Sequence, residues 1–535
     1  MRPRDLTRVE GNTYDVLVIG GGIHGLACAY EAASRGLRVA LVEAADLGSG
    51  ASFNHQKTAH GGLRSLGSGH PGRAREAIRE RRALARIAPW FLRPLPFLVG
   101  TYRSITKNRL ALRAAFKLDG WLGRRRNDGL EPELHLPSAR LVSKAATLKL
   151  FAGIRREGLT GGAQWYDYQM VEADRLTFAF AAAADRAGAD LANYVEAVDV
   201  IREGARIAGM IVRDHLDNRR LEIRARTTVN AAGSRAGDVM RLLGVERPFP
   251  LLRAMNLVTS KLASDMALAA PGHDGRMLTL VPWRGRALVG TSQSAQIVDS
   301  GNLAVTQAEI DAFIRDANVA FPALKLLSSD VTLVHRGLVP AIVRNGRPDL
   351  NPSAEIIDHG NRAITVVGVK FTTARGVAER AMRVVARRLG RRLSASRTAT
   401  TPLPGAAIAD HEALAIETGR ALHMAVPLPV IRHLITLYAE GAADIIHLTH
   451  DRPDLQEPLA PGTATLKAEI VHVIRHEMAA RLSDIVVRRI GLGSSGAPPP
   501  DALAAAAQIA ATELGWDAAR MEAELTDVRR FYDVG

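Results

Sequence analysis

The sequence predicts an α/β fold in three parts: a parallel sheet with crossover helices, an antiparallel sheet, and a C-terminal all-helical domain. Three observations lead to this prediction. A strand, a glycine turn, a helix and a second strand follow one another between Asp15 and Glu43. Short apolar strand patterns separated by polar turns recur from Leu191 to Val339. A Ser/Thr/Pro-rich linker then leads into a segment that is almost wholly helical in pattern.

The segment Asp15–Glu43 has the order of a Rossmann-like nucleotide-binding unit. Gly20, Gly22 and Gly25 form a G-x-G-x-x-G pattern between an apolar strand and a helix. The first glycine permits a tight turn, the second lets a pyrophosphate approach the backbone, and the third lets helix and strand pack closely. Glu43 ends the second strand, where its carboxylate can accept a ribose hydroxyl and would repel a 2′-phosphate. We therefore expect a dinucleotide at this segment.

Length and composition favour several domains in a globular chain. The 535 residues exceed one ordinary core, and 47% apolar with 23% charged residues is typical of folded protein. We predict no transmembrane helix, because no stretch offers about 18 uninterrupted apolar residues, and no signal peptide. The single cysteine, Cys28, excludes an intrachain disulfide, suits a reducing cytosol and is expected to pack helix against sheet. No metal site is predicted.

The net charge of +15 is concentrated in one segment. Residues 73–128 contain 15 Lys or Arg and 4 Asp or Glu, which indicates a local anionic partner. Pro71–Ile87 predicts an Arg-rich helix. Three prolines after it are expected to break that helix and to expose Trp90, Phe91, Leu92 and Phe97.

The next segment, residues 101–127, predicts a basic amphipathic helix. Apolar and basic residues alternate along it, namely Leu110, Leu112, Phe116 and Leu118 with Lys107, Arg109, Arg113 and Lys117, and Trp121 lies near its end. Such helices lie in membrane interfaces, so we interpret the segment as a docking surface for anionic lipid. An internal helix with a solvated basic face stays open as an alternative. Nucleic acid is not an expected partner, because no nucleic-acid module accompanies the patch.

The remaining patterns extend both sheets. Ala173–Ala187 predicts a helix, and the strand patterns after it predict an antiparallel meander that returns to the main sheet at TTVNAAG. Gly233 opens another helix, so a second strand–glycine–helix junction is expected to face the cofactor. Leu251–Val339 is expected to form a sheet over a substrate pocket, with one helix from about Gln307 to Ala320. Ala363–Leu389 repeats strand, turn and helix.

The stretch HQKTAHGGLRSL resembles the flavin-side loop of FAD-dependent glycerol-3-phosphate dehydrogenases, which are D-amino-acid-oxidase-like FAD oxidoreductases. The matching residues are Lys57, His60, Gly61, Gly62, Leu63 and Arg64. The resemblance continues in REAIRERRALARIAPWFLRPLPF, VNAAG, VPWRGRALVGTSQ, VGVKFTTARGVAE, TTPLPGA and, in the last domain, IVHVIRHEMAARLSDIVVRRIGLG. It implies FAD, oxidation of sn-glycerol 3-phosphate to dihydroxyacetone phosphate, and electron delivery to quinone. It also implies a cytoplasmic protein attached peripherally to the inner face of the cell membrane, and a homodimer is compatible with it.

The resemblance also implies site residues. His60 matches the active-site histidine and is the candidate base for the hydroxyl proton, with a hydrogen bond to flavin as the alternative role. Arg64 and Lys370 match substrate-side positions, where fixed cations would bind a phosphate. The turn Lys370–Thr373 begins a helix whose N–H groups would favour the negative charge of reduced flavin. The expected cofactor contacts are Gly20, Gly22, Gly25, Glu43, Ser52, Lys57, His60, Gly61, Val195, Gly233, Gly368, Lys370, Phe371 and Thr372.

Two positions depart from the family pattern. Ser65 stands where the family has a Tyr, and Val339 stands where a substrate-binding Arg is expected. Arg336, with His335 beside it, is the candidate substitute. Two alternatives therefore stay open. One is a flavin enzyme for another small hydroxy or amino acid, whose carboxylate Arg64, Arg336 and Lys370 would hold, and the other is a non-catalytic flavoprotein.

These interpretations give a domain map. We predict an FAD-dependent oxidoreductase domain over residues 1–395, a linker over 396–407 and a helical domain over 408–535. Within the first domain, the FAD-binding part covers about 14–75, 165–250 and 335–390. The part that faces substrate and membrane covers about 76–164 and 251–334.

Overall fold

The computed structural model describes residues 1–67, 69–102, 109–151, 153–406, 411–421 and 427–533. Its strands are β1 (Thr13–Ile19), β2 (Val39–Val42), β3 (Thr58–Ala59), β4 (Leu92–Tyr102), β5 (Arg140–Ser143), β6 (Leu159–Met170), β7 (Asp190–Ala192), β8 (Val195–Glu203), β9 (Arg206–Asp214), β10 (Arg220–Asn230), β11 (Leu251–Thr259), β12 (Ala267–Pro271), β13 (Met277–Trp283), β14 (Arg286–Gln293), β15 (Val331–Arg344), β16 (Arg347–Leu350), β17 (Glu355–Asp358) and β18 (Ala363–Val367). Its α-helices are α1 (Ile23–Ala33), α2 (Leu63–Gly67), α3 (Pro71–Ile87), α4 (Arg109–Leu122), α5 (Lys144–Leu150), α6 (Ala173–Arg186), α7 (Ala236–Leu242), α8 (Gln307–Ala320), α9 (Ala374–Leu389), α10 (His411–Ala421), α11 (Leu428–Tyr438), α12 (Ala442–Asp451), α13 (Lys467–His476), α14 (Pro500–Leu514) and α15 (Ala518–Tyr532).

The first sheet is built around the glycine motif. Its strand order is β17-β18-β10-β1-β2-β7, and β1, β2, β7, β10 and β18 run parallel. Strand β10 changes neighbours along its length. Its first half pairs antiparallel with β9, and its second half pairs in parallel with β1. The predicted meander is thus β8-β9-β10, and its return to the main sheet is confirmed.

The last four residues of β1, Val16 to Ile19, are all apolar and buried, because both faces of the sheet are covered there. Val16 and Val18 pack against the helical layer formed by α1, α6 and α9. Leu17 and Ile19 point to the opposite face and pack with residues of the meander, such as Met210. This alternation follows from the two-residue period of a strand.

The second sheet has the order β16-β15-β11-β14-β13-β12-β4-β6-β3, with β5 beside β6. Neighbouring strands are antiparallel except β12 and β4, which run parallel. Helix α8 packs on one face through Ile310 and Phe313, and its bounds are those that the sequence predicted. Thr306 and Glu309 form a capping box at its start, which satisfies two N–H groups of the first turn.

The segment after α3 is a strand, and the predicted exposure of its aromatic residues was wrong. Strand β4 pairs with β6 along its length, and Phe91, Leu92 and Phe97 are buried, while Trp90 is half-buried. The prolines of this strand are tolerated because β12 joins β4 only at residues 97–99, so the earlier residues lie at a sheet edge. A missing N–H is harmless at such an edge.

The predicted amphipathic helix is present as α4. Residues 103–108, which include Lys107, lie outside the described residues, as do the side chains of Arg109 and Leu110. Phe116 is buried, whereas Leu118 is 39% exposed and Trp121 is 63% exposed. The surface formed by α4 and the residues just after it is not uniformly basic, because the Arg126 side chain folds back and bonds Asp119 at 2.9 Å.

The C-terminal helices α10–α15 form a separate layer that packs against the second sheet. Ile435, Ile470 and Val486 share one hydrophobic cluster with Phe53 and Val258 of the preceding domain. A π-helical segment, Asp484–Arg489, lies between the regular helices α13 and α14. None of the helices in the described ranges combines the length and apolarity needed to cross a membrane.

Candidate active site

The glycine motif forms a tight cradle at the carboxyl end of β1. Gly20 has φ of +108°, and a Cβ on Gly25 would lie 1.8 Å from the carbonyl oxygen of Gly20, so that approach is possible only for glycine. Gly22 is the residue before α1, and the Ser52 hydroxyl accepts the Ile23 N–H at 2.9 Å. The structure therefore brings the predicted residues of this motif and Ser52 to one helix N-terminus, a position suited to phosphate.

Glu43 lies directly beside the glycine cradle. Its carboxylate accepts the N–H groups of Gly21 at 2.6 Å and Ala45 at 2.8 Å, and its carbonyl accepts the Val195 N–H at 2.7 Å. Burial raises the pKa of Glu43, and the two backbone N–H groups oppose that rise. Glu43 and Val195, both predicted cofactor contacts, are thus direct neighbours. A contact of either with the ribose or the adenine stays a prediction.

Two further glycines lie at the same edge of the parallel sheet. Gly233 follows β10 and has φ of +58°, and Gly368 follows β18. A Cβ on Gly368 would lie 2.3 Å from the ring of His24 in α1, so the backbone passes close to that helix. The carboxyl edge of an open parallel sheet is where such folds bind ligands.

His60 is held by an acid that the sequence analysis missed. Its Nδ1 lies 3.2 Å from Asp167 Oδ2, and its Nε2 lies 2.9 Å from the Thr58 hydroxyl. Because a carboxylate only accepts, the proton of a neutral His60 belongs on Nδ1, and Nε2 is left as an acceptor. The side chain of His60 is 50% exposed, so the imidazole can be approached from solvent.

Asp167 is fixed from three other directions. Arg81 forms a salt bridge with it, the Gly61 N–H donates at 2.6 Å and Trp165 Nε1 donates at 3.3 Å. Burial would raise the pKa of Asp167, but the charges and donors of Arg81, His60 and Gly61 hold it below its usual value. Asp167 interrupts an aromatic run on β6 (QWYDYQM), and a lone acid in such a strand was the available signal.

The turn before α9 lies against His60. The Thr372 hydroxyl accepts the backbone N–H of His60 at 3.2 Å, and α9 begins at Ala374. Phe371 packs its ring 5.1 Å from that of His55. Lys370 is exposed at the head of this turn. The fold therefore joins two predicted parts of the site, His60–Gly61 and Lys370–Thr372, which are some 300 residues apart in the sequence.

Lys57 points into the protein. Its ammonium bonds the Phe53 carbonyl at 2.6 Å and Asp174 at 3.2 Å and lies 4.4 Å from the centre of the Phe53 ring. Burial lowers the pKa of Lys57, and Asp174 opposes that effect. The backbone of Lys57 is bonded as well, because its N–H donates to His55 Nδ1 at 3.0 Å and its carbonyl accepts the Met170 N–H at 2.7 Å. A cofactor contact by Lys57 stays a prediction.

The substrate-side residues are only partly brought together. The backbone N–H of Arg336 donates to Asn54 Oδ1 at 3.1 Å, and Val339 lies half-buried farther along β15. His335 is buried, and its ring centre lies 5.1 Å from that of Phe53. A contact of His335 with substrate stays a prediction. Arg64 is the second residue of α2, and its side chain lies outside the described part of the structure.

Two buried donors in the flavin-side loop have no partner among the described residues, namely His55 Nε2 and Gln56 Nε2. His55 Nδ1 accepts the Lys57 N–H at 3.0 Å, so a neutral ring carries its proton on Nε2. Burial, with the nearby Lys57 charge, lowers the pKa of His55 well below its usual value. The glycine cradle and these unpaired donors fit a long ligand with phosphates at one end and ring acceptors at the other.

The comparison with sequence families agrees with this geometry. A family described as FAD dependent oxidoreductase matches residues 15–382, and one described as the C-terminal domain of alpha-glycerophosphate oxidase matches residues 396–521. The fold and the site thus define an FAD-dependent oxidoreductase, with FAD as its cofactor.

Comparison with known proteins identifies the family within the FAD-dependent oxidoreductases. The chain is 30% identical to a glycerol-3-phosphate dehydrogenase of Synechocystis sp. over 91% of this chain and 90% of that protein. It is 32% identical to a glycerol-3-phosphate dehydrogenase of Mycobacterium leprae over 96% of this chain and 87% of that protein. The chain belongs to the glycerol-3-phosphate dehydrogenase family.

Solved structures share the fold. The glycerol-3-phosphate dehydrogenase of Bacillus halodurans complexed with FAD aligns with a TM-score of 0.77 at 22% identity, covering 98% of this chain and 96% of that one. The L-alpha-glycerophosphate oxidase of Mycoplasma pneumoniae with FAD bound aligns with a TM-score of 0.55 at 17% identity, covering 74% and 99%. Within the described residues, no group of three His, Cys, Asp or Glu side chains is placed to hold a metal ion.

Proposed function

We propose that this chain oxidises sn-glycerol 3-phosphate to dihydroxyacetone phosphate and passes the electrons to quinone. FAD supplies the acceptor for the hydride of the substrate C–H bond. The observation that supports the proposal most is the His60–Asp167 pair beside the turn that begins α9. It offers a histidine base fixed by a buried carboxylate beside the turn after β18, at the carboxyl edge of the parallel sheet where such folds bind ligands.

His60 has the geometry of a general base. With the proton on Nδ1 held by Asp167, Nε2 can accept the proton of a substrate hydroxyl as the C–H bond breaks. Asp167 would stabilise the resulting imidazolium, and the Arg81 charge keeps Asp167 ionised for that role. The Thr58 hydroxyl, which now lies 2.9 Å from Nε2, would give way to the substrate hydroxyl.

Three residues are proposed to hold the anionic end of the substrate. Arg64 and Lys370 supply cations from α2 and from the turn before α9, and Arg336 supplies a third from β15. A phosphate dianion is better matched by several fixed cations than by one, because each charge-assisted hydrogen bond adds affinity and geometry. The N–H groups at the start of α9, a helix of 16 residues, favour negative charge nearby.

A second candidate is oxidation of another small hydroxy or amino acid. Val339 stands in β15 where the family pattern has an arginine, which removes one charge-assisted contact to a phosphate. Such a contact is worth about 1.5–3 kcal/mol, or one to two decades of affinity. A carboxylate needs fewer cations than a phosphate and could be held by Arg64, Arg336 and Lys370.

The anaerobic reaction of the purified flavoprotein separates these candidates. Mixing with sn-glycerol 3-phosphate should bleach the flavin absorbance within the turnover time. Bleaching by a hydroxy or amino acid but not by glycerol 3-phosphate would select the second candidate. Absence of bleaching by any small acid or phosphate would leave a non-catalytic flavoprotein.

We also propose that α4 docks the protein on an anionic membrane surface, at the inner face of the cell membrane. Leu118 and Trp121 are exposed on this helix, and the exposed Lys117, Arg124 and Arg125 lie within seven residues of them in the sequence. The Arg124 guanidinium lies 5.7 Å from the Trp121 ring centre. Exposed apolar side chains with a basic rim favour an interface between water and anionic lipid, which would bring the protein to its quinone.

A further inference from the structure

Asp46 of the first domain is held by two arginines of the C-terminal domain. It is buried and lies three residues after Glu43. Arg489 bonds both its oxygens, at 2.8 and 2.9 Å, and Arg488 bonds Oδ2 at 2.7 Å. Asn193 donates to Oδ1 at 3.3 Å. The carboxylate is thus fully occupied, and most of its partners come from more than 400 residues away in the sequence.

The same arginines are anchored within the C-terminal domain. Arg488 bonds Asp484 at 2.6 Å, and Asp484 also accepts the N–H groups of Ala480 and Arg481. The Tyr194 hydroxyl donates to Asp484 at 2.7 Å. The cluster of Asp46, Asp484, Arg488 and Arg489 is electrically balanced, with two charges of each sign.

This cluster connects directly to the corner where FAD is expected to place its ribose. The Tyr194 N–H donates to the Ala45 carbonyl at 3.0 Å, and the Val195 N–H donates to the Glu43 carbonyl at 2.7 Å. The segments 43–46 and 193–195 are therefore bonded to each other and, through Asp46 and Tyr194, to the C-terminal domain. A shift of Asp46 would move the carbonyl and carboxylate of Glu43.

Stability alone gives no reason for burying these charges. A buried ion pair often contributes no more than well-packed apolar residues would, because desolvation offsets the attraction. Its distinctive property is a fixed geometry. The two arginines also offset the Asp46 charge, which acts to raise the pKa of Glu43. Without them, a second uncompensated carboxylate would face the acid that is expected to bind the ribose.

We propose that Asp46, Arg488 and Arg489 are positioning residues for FAD, and that the C-terminal domain thereby completes the adenosine end of the cofactor site. The proposal rests on the assignment of Glu43 to the ribose. Because coupling between two binding events is reciprocal, FAD also strengthens the docking of the C-terminal domain by the same factor. The C-terminal domain then contributes to the cofactor site in addition to packing against the second sheet.

The test uses FAD binding to the full-length apoprotein, measured by quenching of flavin fluorescence. Arg489→Met should raise the dissociation constant of FAD by about tenfold or more, in the range of ordinary coupling between sites. The double variant Asp46→Asn/Arg489→Met removes both partners and avoids an unpaired carboxylate, and it should bind FAD as weakly as the single variant. Circular dichroism and thermal unfolding of each apoprotein check that it is folded.

Arg284→Met is the matched control. Arg284 also bridges to the C-terminal domain, through the Gly491 carbonyl at 2.7 Å, but it does not touch residues 43–46. Its loss should leave the FAD dissociation constant within about twofold of wild type. Equal weakening by Arg284→Met, or wild-type affinity in a folded Arg489→Met or in the double variant, would overturn the proposal. A wild-type apoprotein that takes up no FAD would instead refute the cofactor assignment.

Limited proteolysis tests the reciprocal effect, which is the stronger docking of the C-terminal domain when FAD is bound. Trypsin should cut more slowly, when FAD is bound to the wild type, at the exposed Arg391 and Arg392 that precede the linker and at the exposed Arg397 within it. This protection should shrink in Arg489→Met at FAD concentrations that saturate both proteins. Equal protection of both would show that docking and FAD binding are not coupled through Asp46.

Discussion

Asp167→Asn should disable His60 as a base while leaving FAD bound. The asparagine oxygen can still accept the Gly61 N–H and bond Arg81, so the backbone around His60 is retained. Its amide nitrogen would then face His60 Nδ1 and donate to it. That hydrogen bond forces the proton of the imidazole onto Nε2, which can no longer accept the proton of a substrate hydroxyl.

The magnitude follows from the 3.2 Å separation between Nδ1 and Oδ2. An imidazolium and a carboxylate at that distance attract by about 1.3 kcal/mol in water and about 5 kcal/mol at an effective dielectric constant of 20. Because His60 is 50% exposed, solvent screens the pair, and the figure for a hydrogen bond to a charged group, about 1.5–3 kcal/mol, is the better guide. The rate of flavin reduction should therefore fall about 10- to 150-fold.

Anaerobic stopped-flow mixing with saturating sn-glycerol 3-phosphate measures that rate directly. Trp165→Phe is the control, because it removes the 3.3 Å bond to the same carboxylate oxygen and leaves the tautomer of His60 unchanged. Its rate should stay within about threefold of wild type. An Asp167→Asn protein with normal FAD content and an unchanged reduction rate would refute the role of the pair.

Three further outcomes are expected. Burial lowers the pKa of His472 to about 4, although the charge of Glu477 opposes that shift. Between pH 6.5 and pH 4 the unfolded chain therefore binds more protons at this residue than the folded chain does. The free energy of unfolding should fall as the pH drops through this range. The slope reaches about 1.4 kcal/mol per pH unit for this residue, and urea unfolding of His472→Gln should show a shallower fall; parallel curves would contradict the assignment. Neutralising Arg124 and Arg125 should abolish salt-sensitive sedimentation with anionic vesicles, whereas neutralising the exposed Arg529 and Arg530 should not, and equal loss in both would argue against docking by α4. His55→Phe should raise the FAD dissociation constant by about threefold to tenfold, because one donor is lost, and unchanged affinity in fluorescence titration would exclude a flavin contact.

The local patterns of the sequence were sufficient for most of the fold. Strand β1, the glycine turn and α1 were predicted because period, composition and turn residues all act within a few residues of one another. The bounds of α3 and α8 were predicted for the same reason. The resemblance extended this to the family and to FAD, both of which the comparisons support.

The strand β4 was missed because its prolines are local signals against a strand. What overrides them is the position of residues 92–96 at a sheet edge, and an edge exists only once β6 and β12 have been placed. The burial of Phe91, Leu92 and Phe97 follows from the same placement. The patterns of one sequence do not show which strands become neighbours in a sheet.

The sequence by itself determined the glycine cradle and most of the helices and strands, and the family resemblance added His60 as the candidate base. Only the tertiary structure decided what surrounds those residues: Asp167 and Arg81 behind His60, the turn at Thr372 beside it, and Arg488 and Arg489 on Asp46. The physical reason is that hydrogen bonds and ion pairs act over a few ångströms of space. Residues that are 86 to 443 positions apart come within that range only when the sheets and the C-terminal helices have packed.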